Sequence, residues 1–121
     1  MTTSEILHLD YYENENIFQK ALRKIKPLSK YSLEENIPLD ILEKLVSTYE
    51  YKYAIMINYI CPVYIPGERR MYSVTIKNTE KNETYYIHSS SIYEAFCKIS
   101  ILYYSEVKNG LGLKDWKDKN G

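Results

Sequence analysis

The segment TYYIHSSSIYEAFCKISILYYSEV, residues 84–107, contains the change of hydrophobic period that decides the fold. Its first five residues alternate as a β-strand does, and three serines then separate them from apolar residues at helical spacing. Ser91 and Glu94 fit the S-x-x-E capping box, and Gly110 is a natural helix stop. The apolar residues of this helix are Ile92, Ala95, Phe96, Ile99, Leu102, Tyr103 and Val107. The segment therefore predicts a strand that leads directly into a long amphipathic helix.

Two earlier segments alternate in the same way as this strand. Residues 71–77 place Tyr72, Val74 and Ile76 on one side. Residues 51–60 are rich in the β-branched and aromatic types that favour strands. A continuation of the preceding helix is the alternative interpretation of residues 51–60. Polar and turn-forming residues separate the segments, so the sequence predicts an antiparallel three-stranded meander.

Two helices are predicted before the strands. The first begins near Asn16, with Asn14 or Asn16 as its N-cap, and Pro27 stops it. Its apolar face consists of Ile17, Phe18, Ala21, Leu22 and Ile25. The second covers residues 38–49 and has a proline in its first turn. Its apolar stripe consists of Leu39, Leu42, Leu45, Val46 and Tyr49. Residues 1–13 lack periodicity and are interpreted as a short lead-in.

These elements predict a single α+β domain over residues 1–110, in the order α-α-β-β-β-α, with the meander packed against the helices. A chain of 121 residues is long enough to bury a core without disulfide or metal staples. Residues 111–121 are polar around a single tryptophan, which predicts a mobile C-terminal tail.

Composition argues against several classes of function. Sixteen basic residues balance sixteen acidic ones, whereas a dedicated non-specific nucleic-acid binder carries a basic excess. The chain has no apolar run of about 18 residues, so no membrane span is expected. The N-terminal segment lacks the pattern of a signal peptide. Cys61 and Cys97 form no CxxC pair, so we expect reduced thiols and a cytoplasmic protein of a bacterial or archaeal cell.

No catalytic, cofactor or metal motif is present in the sequence. His88 beside residues 89–91 allows either a His–Ser pair or an anion at the helix start, but helix capping is the plainer interpretation. His8 with Asp10, and His88 with Cys97, match no spacing typical of metal ligands. We therefore expect a protein that is not an enzyme and that uses no cofactor and no metal.

A run of cations provides one candidate site, because residues 17–32 contain no acidic residue. The predicted basic patch consists of Lys20, Arg23, Lys24, Lys26, Arg69 and Arg70. Lys98 and Lys108 would extend it if the last helix lies alongside. Such a patch binds phosphates or an acidic protein surface. The alternative is a solvated face in a chain that has thirteen lysines.

The tyrosine content provides the second candidate site, with fourteen Tyr against two Phe and one Trp. Exposed tyrosines are typical of protein interfaces and also stack on single-stranded bases. The alternative is that Tyr replaces Phe in the core. The candidate interface aromatics are Tyr64, Tyr86 and Tyr104. The leading hypothesis is a protein-binding domain that forms a homo-oligomer, and the second is nucleic-acid or nucleotide binding.

Two resemblances bear on these hypotheses. The order of helix, three strands and helix in residues 38–107 resembles the topology of the double-stranded RNA-binding domain. That family binds phosphates through a lysine-rich start of its last helix, where this chain has serines. Residues 72–107 also resemble small phage-encoded α/β proteins of the anti-CRISPR type. Ile, Lys, Asn and Tyr, whose codons are AT-rich, make up 49 of 121 residues. This predicts an AT-rich genome, as in low-GC bacteria, their phages and plasmids, and some archaeal viruses. This resemblance implies an inhibitor of a host defence protein.

Overall fold

The structure of the chain, a computed structural model, describes residues 3–49, 53–60, 71–78 and 82–109. The helices in these ranges are α1 (Thr3–Leu7), α2 (Glu15–Arg23), α3 (Leu39–Tyr49) and α4 (Ile92–Asn109), and a 3-10 turn covers Lys26–Leu28. The strands are β1 (Tyr53–Ile60), β2 (Met71–Asn78) and β3 (Glu83–Ser89). The predicted α+β fold and element order are confirmed, with the short α1 added in front.

The three strands form the predicted antiparallel meander, in the order β1-β2-β3. Ile57 lies opposite Val74, which lies opposite Ile87, and this row marks the middle of the sheet's inner face. Residues 53–60 are strand, so the alternative of a continued helix is wrong for them. Within the described residues β1 and β3 are the two edges of the sheet.

Helix α4 is the central element of the fold. It contacts β2 and β3 on the inner face of the sheet, and it also contacts α1, α2 and α3. Because neighbours surround it, its apolar residues extend beyond a single stripe, as is typical of a buried helix. Its buried apolar residues are Ala95, Cys97, Ile99, Ile101 and Leu102. The other helices therefore pack on the inner side of the sheet, and the outer face points away from them.

Several tyrosines belong to this core. The Tyr49 and Tyr103 rings stack with their centroids 3.8 Å apart, and the Tyr53 ring meets Tyr103 edge-on at 5.5 Å. Tyr11 is almost fully buried and packs edge-on against Tyr93 at 5.2 Å. Burial in apolar surroundings raises the pKa of Tyr49 and of Tyr93. Tyr11, Tyr49 and Tyr53 are therefore buried in the core, and the half-buried Tyr93 and Tyr103 pack against it.

The first predicted helix is shorter than its apolar spacing suggested. Helix α2 ends at Arg23, because Ile25 adopts an extended backbone (φ −82°, ψ 116°) and still buries its side chain. The proline expected to stop the helix lies instead inside the 3-10 turn Lys26–Leu28. Asn14 occupies the N-cap position, but its side chain makes no capping hydrogen bond and donates to the Asp10 carbonyl at 2.9 Å.

One further expectation is wrong. Leu39, expected on the apolar stripe of α3, is 42% exposed because it lies in the first turn of the helix, before the helix meets the core. Ile37, just before α3, is fully buried. The lead-in, expected to be a short ordered or half-ordered segment, contains α1, which buries Ile6 and Leu7.

Some predictions fall outside the described residues. These are the tail at residues 111–121 and the candidate residues Tyr64, Arg69 and Arg70, together with Cys61. In the ranges that are described, none of the helices is both long and apolar enough to cross a bilayer.

Candidate binding surfaces

The side of the sheet that points away from the helices, called the outer face here, is the first candidate surface. Among the strand residues whose side chains the structure describes, alternation places nine on this face. They are Ala54, Met56 and Asn58 of β1, Ser73, Thr75 and Lys77 of β2, and Thr84, Tyr86 and His88 of β3. Their intermediate or exposed state contrasts with the buried Val74, Ile76 and Ile87 of the inner face.

The centre of the outer face is a row across all three strands. Met56 lies opposite Thr75, which lies opposite Tyr86. Met56 is 59% exposed and Tyr86 is 60% exposed, and these are the most exposed large apolar residues among those described. Lys77 is the one residue of the nine that is charged at neutral pH, with histidine neutral. A surface with aromatic and methionine side chains and few charges has the composition of a protein interface.

The predicted interface aromatics have different positions. Tyr86 is exposed on the outer face, and its neighbour Tyr85 is buried, as the strand alternation predicts. Tyr104 is half-buried and packs against the core from α4. Tyr12, which the sequence did not single out, is 51% exposed, and its hydroxyl lies 2.7 Å from Ser91 Oγ.

The start of α4 is built around the buried carboxylate of Glu94, the residue predicted to complete the capping box. Ser91 Oγ accepts the backbone N–H of Glu94 at 3.1 Å, which confirms one half of the capping box. The Glu94 carboxylate accepts from the backbone N–H and the hydroxyl of Ser90, and from the backbone N–H of Tyr11 at 2.7 Å. Glu94 is 1% exposed. The chain's own carboxylate therefore lies at the helix start, where an external anion was considered.

Lys98 completes this buried polar cluster. Its Nζ lies 3.6 Å from the Glu94 carboxylate and donates to the backbone carbonyl of His88 at 3.0 Å. Burial lowers the pKa of Lys98, and the neighbouring Glu94 carboxylate opposes that shift. The expectation that Lys98 extends an exposed basic patch is therefore wrong, because its side chain is folded between α4 and the end of β3.

A cleft follows the free side of β3, and we call it the edge groove. A cavity of about 120 Å³ is lined by Leu7, His8, the four consecutive residues 85–88 and Lys98. A second cavity, of about 250 Å³, shares His8, His88 and Lys98 with the first and extends past Asp10 and residues 89–90. The sequence gave no indication that His8 lies beside residues 85–90 and Lys98, because they are about 80 positions apart and packing of the segment after α1 brings them together.

In the described part of the chain, none of the three serines that follow His88 has its hydroxyl hydrogen-bonded to the His88 imidazole, and the Ser89 hydroxyl is buried without a hydrogen-bond partner. Ser90 Oγ donates to the Glu94 carboxylate, and Ser91 Oγ pairs with Tyr12, so neither hydroxyl is paired with the imidazole of His88. Among the described residues, no group of three or more His, Cys, Asp or Glu side chains is arranged to hold a metal ion.

The predicted basic patch is only partly a helix face. Lys20 and Arg23 belong to α2, Lys24 is its C-cap, and Lys26 begins the 3-10 turn. The three lysines are exposed and Arg23 is half-buried. Lys30 lies further on, 5.4 Å from the centre of the Tyr31 ring. Since α2 packs on α4 and α4 packs on the inner face of the sheet, these cations and Tyr86 do not form one surface.

Comparisons of the chain with protein-family models, with curated proteins and with solved structures found no match.

Proposed function

We propose that this chain is a non-enzymatic protein-binding domain that holds or occludes a macromolecular partner through the outer face of its sheet. The observation that carries the proposal is the central row of the outer face, where the exposed Met56 and Tyr86 flank the half-buried Thr75. Of the nine side chains described on this face, one is charged, Lys77. Burying such a surface is favourable because it removes apolar area from water and desolvates few charges.

The finer form of this proposal concerns the partner. An inhibitor carried by a phage or mobile element would occlude a host defence protein, and the small size and AT-rich composition of the chain support that role. Self-association through the same face is the homo-oligomeric form of the proposal, and both forms use the same central row.

A comparison of two double variants tests the proposal. Met56→Lys with Tyr86→Lys places charge on the outer face, and Lys20→Gln with Lys24→Gln is the matched control, two exposed substitutions elsewhere. The wild type and the two double variants are immobilised separately and exposed to the same bacterial lysate. The proteins that each one retains are identified by native mass spectrometry. The proposal requires a partner, or a second copy, that the wild type and the control retain and the outer-face variant loses. Equal retention by all three contradicts it.

Nucleic-acid or nucleotide binding is the second candidate function. Lys20, Lys24 and Lys26 are exposed, and none forms an ion pair with a carboxylate among the described residues. Cations close together on one side of a molecule attract phosphates by releasing counterions. Three lysines support only weak binding of this kind.

Salt dependence separates this candidate from the first. Binding to single-stranded RNA and DNA is measured by fluorescence anisotropy between about 50 and 200 mM salt, the range over which phosphate contacts weaken strongly. If the basic residues bind nucleic acid, Lys20→Gln with Lys24→Gln removes binding and the outer-face variant keeps it. Absence of binding at the lowest salt concentration rejects this candidate.

A further inference from the structure

The free side of β3 carries hydrogen-bonding groups that no strand pairs with among the described residues. Lys98 lines the edge groove and its Nζ donates to the His88 carbonyl, so this carbonyl is open to the groove side of β3, opposite β2. Because backbone groups alternate in direction along an antiparallel strand, Tyr86 and Thr84 point theirs to the same side. Unpaired groups in this arrangement are the template for strand addition.

The lining of the edge groove also indicates that the backbone of β3 is accessible on the side opposite β2. Residues 85–88 all line its first cavity, although consecutive side chains of a strand lie on opposite faces. Four consecutive residues can line one cavity only if the cavity follows the strand's edge, where the backbone is accessible. At about 3.3 Å per residue, the lined length is about 13 Å, enough for an extended segment of four residues.

Charge distinguishes the ends of the groove. Near the end of β3 it is lined by two carboxylates, Asp10 and Glu94, and one ammonium, Lys98. His8 and His88 also line this end. Asp10 Oδ1 accepts the backbone N–H groups of Tyr12 and Glu13, at 2.9 and 3.2 Å, and the Lys98 ammonium lies beside Glu94. The charges of the two carboxylates and the ammonium sum to one negative charge, which complements a basic side chain. A second copy's β3, with the sequence ETYYIHS, carries no lysine or arginine.

The geometry points to strand addition at β3: an extended segment of a partner protein binds in the edge groove as a fourth strand, with a lysine or arginine beside Asp10. This inference rests on the proposed function and specifies the partner's chemistry. The added strand would continue the outer face, so that its outward side chains lie beside Tyr86 and His88.

Position 86 offers a matched pair of variants. Tyr86→Pro removes a backbone N–H on the free side, where proline is tolerated in an edge strand. Tyr86→Thr removes the ring and keeps the N–H. Random ten-residue peptides displayed on phage are selected on the full chain, and the dissociation constants of the selected peptides are measured by fluorescence polarisation. Circular dichroism checks that both variants fold.

The selected peptides should alternate β-branched or aromatic residues and carry a lysine or arginine near one end. Tyr86→Pro should weaken binding about tenfold or more, and Tyr86→Thr less than about threefold. Asp10→Asn keeps the side-chain oxygen and should weaken basic peptides about threefold. If Tyr86→Pro does not fold, peptides methylated at alternate backbone nitrogens provide the same test on the wild type and should not bind.

Four results would overturn the inference. If Tyr86→Pro and Tyr86→Thr weakened peptide binding equally, the peptide would contact the Tyr86 ring on the outer face and not the backbone of β3. The proposed function would then still hold. Peptides that bind equally well when methylated would exclude main-chain pairing. Failure to select any peptide would reject the groove as a site for extended segments. Dimerisation that Tyr86→Pro abolishes would identify a second copy as the occupant.

Discussion

The buried carboxylate of Glu94 accepts the backbone N–H of Tyr11 at 2.7 Å, although the two residues lie 83 positions apart in the sequence. The bond ties the start of α4 to the loop between α1 and α2. Because Lys98 lies 3.6 Å from the same carboxylate and also bonds the end of β3, one polar cluster joins three segments of the chain.

Glu94→Gln should destabilise the fold by about 3 kcal/mol, the scale expected when one partner of a buried ion pair is removed. The amide leaves the Lys98 ammonium without its counter-charge. It also turns an N–H₂ group toward the donors of Ser90 or Tyr11. The free energy of unfolding is measured by urea denaturation. The control is Glu13→Gln on the exposed surface, which should change stability by less than about 0.5 kcal/mol. Similar losses in both variants would contradict the buried role.

Lys98→Met provides a double-mutant cycle with Glu94→Gln. Each single variant leaves one polar group of a buried pair without its partner, whereas the double variant removes both charges. The double variant should therefore lose less stability than the sum of the single variants, by about 1 kcal/mol or more. Additivity within about 0.5 kcal/mol would mean that the pair is not energetically coupled.

The regular elements were predictable because their signals are local. The helical spacing after Ser91 predicted α4, and the alternation around Tyr85 and Tyr86 assigned one ring to the core and the other to the surface. Helix α1 was missed because five residues contain barely one helical turn, too short for a period to be recognised. Its stability comes from burial of Ile6 and Leu7 against the rest of the fold.

The candidate surfaces were less predictable than the elements, because they depend on which elements become neighbours. A lysine at position 98 is typical of a solvated face, and only the His88 carbonyl and the Glu94 carboxylate near it explain its burial. The alternation pattern identified two faces of each strand but could not indicate which elements would cover them. His8 joins the edge groove through tertiary packing alone.

Stability should fall as the pH rises above about 10, the ordinary pKa of tyrosine. Burial raises the pKa of Tyr11, Tyr49 and Tyr93. A group whose pKa is raised by folding contributes stability that is complete below its unfolded pKa and is lost as the pH rises through its folded pKa. The unfolded chain then releases protons that the folded chain retains.

Lys98 acts in the opposite direction. Because burial lowers its pKa, its contribution to stability increases as the pH rises toward the ordinary lysine value of about 10.4. Burial also raises the pKa of Cys97, which therefore acts in the same direction as the tyrosines. The three tyrosines and Cys97 outweigh one lysine, so urea denaturation should show lower stability at about pH 11 than at about pH 8. The absorbance of phenolate, followed during unfolding, identifies the tyrosines as the source. Equal stability at both pH values would contradict their burial.

The thiol of Cys97 should be protected from reagents in the folded chain. It is fully buried in α4, and burial, followed by the nearby Glu94 carboxylate, raises its pKa, so the reactive thiolate is disfavoured. The test uses a Cys61→Ser variant, in which Cys97 is the one remaining thiol, and a chromogenic disulfide reagent. The folded chain should react about a thousandfold more slowly, or slower still, than the chain unfolded in urea, because the reaction requires opening of the core. If the thiol reacted at the same rate with and without urea, Cys97 would not be buried in the core.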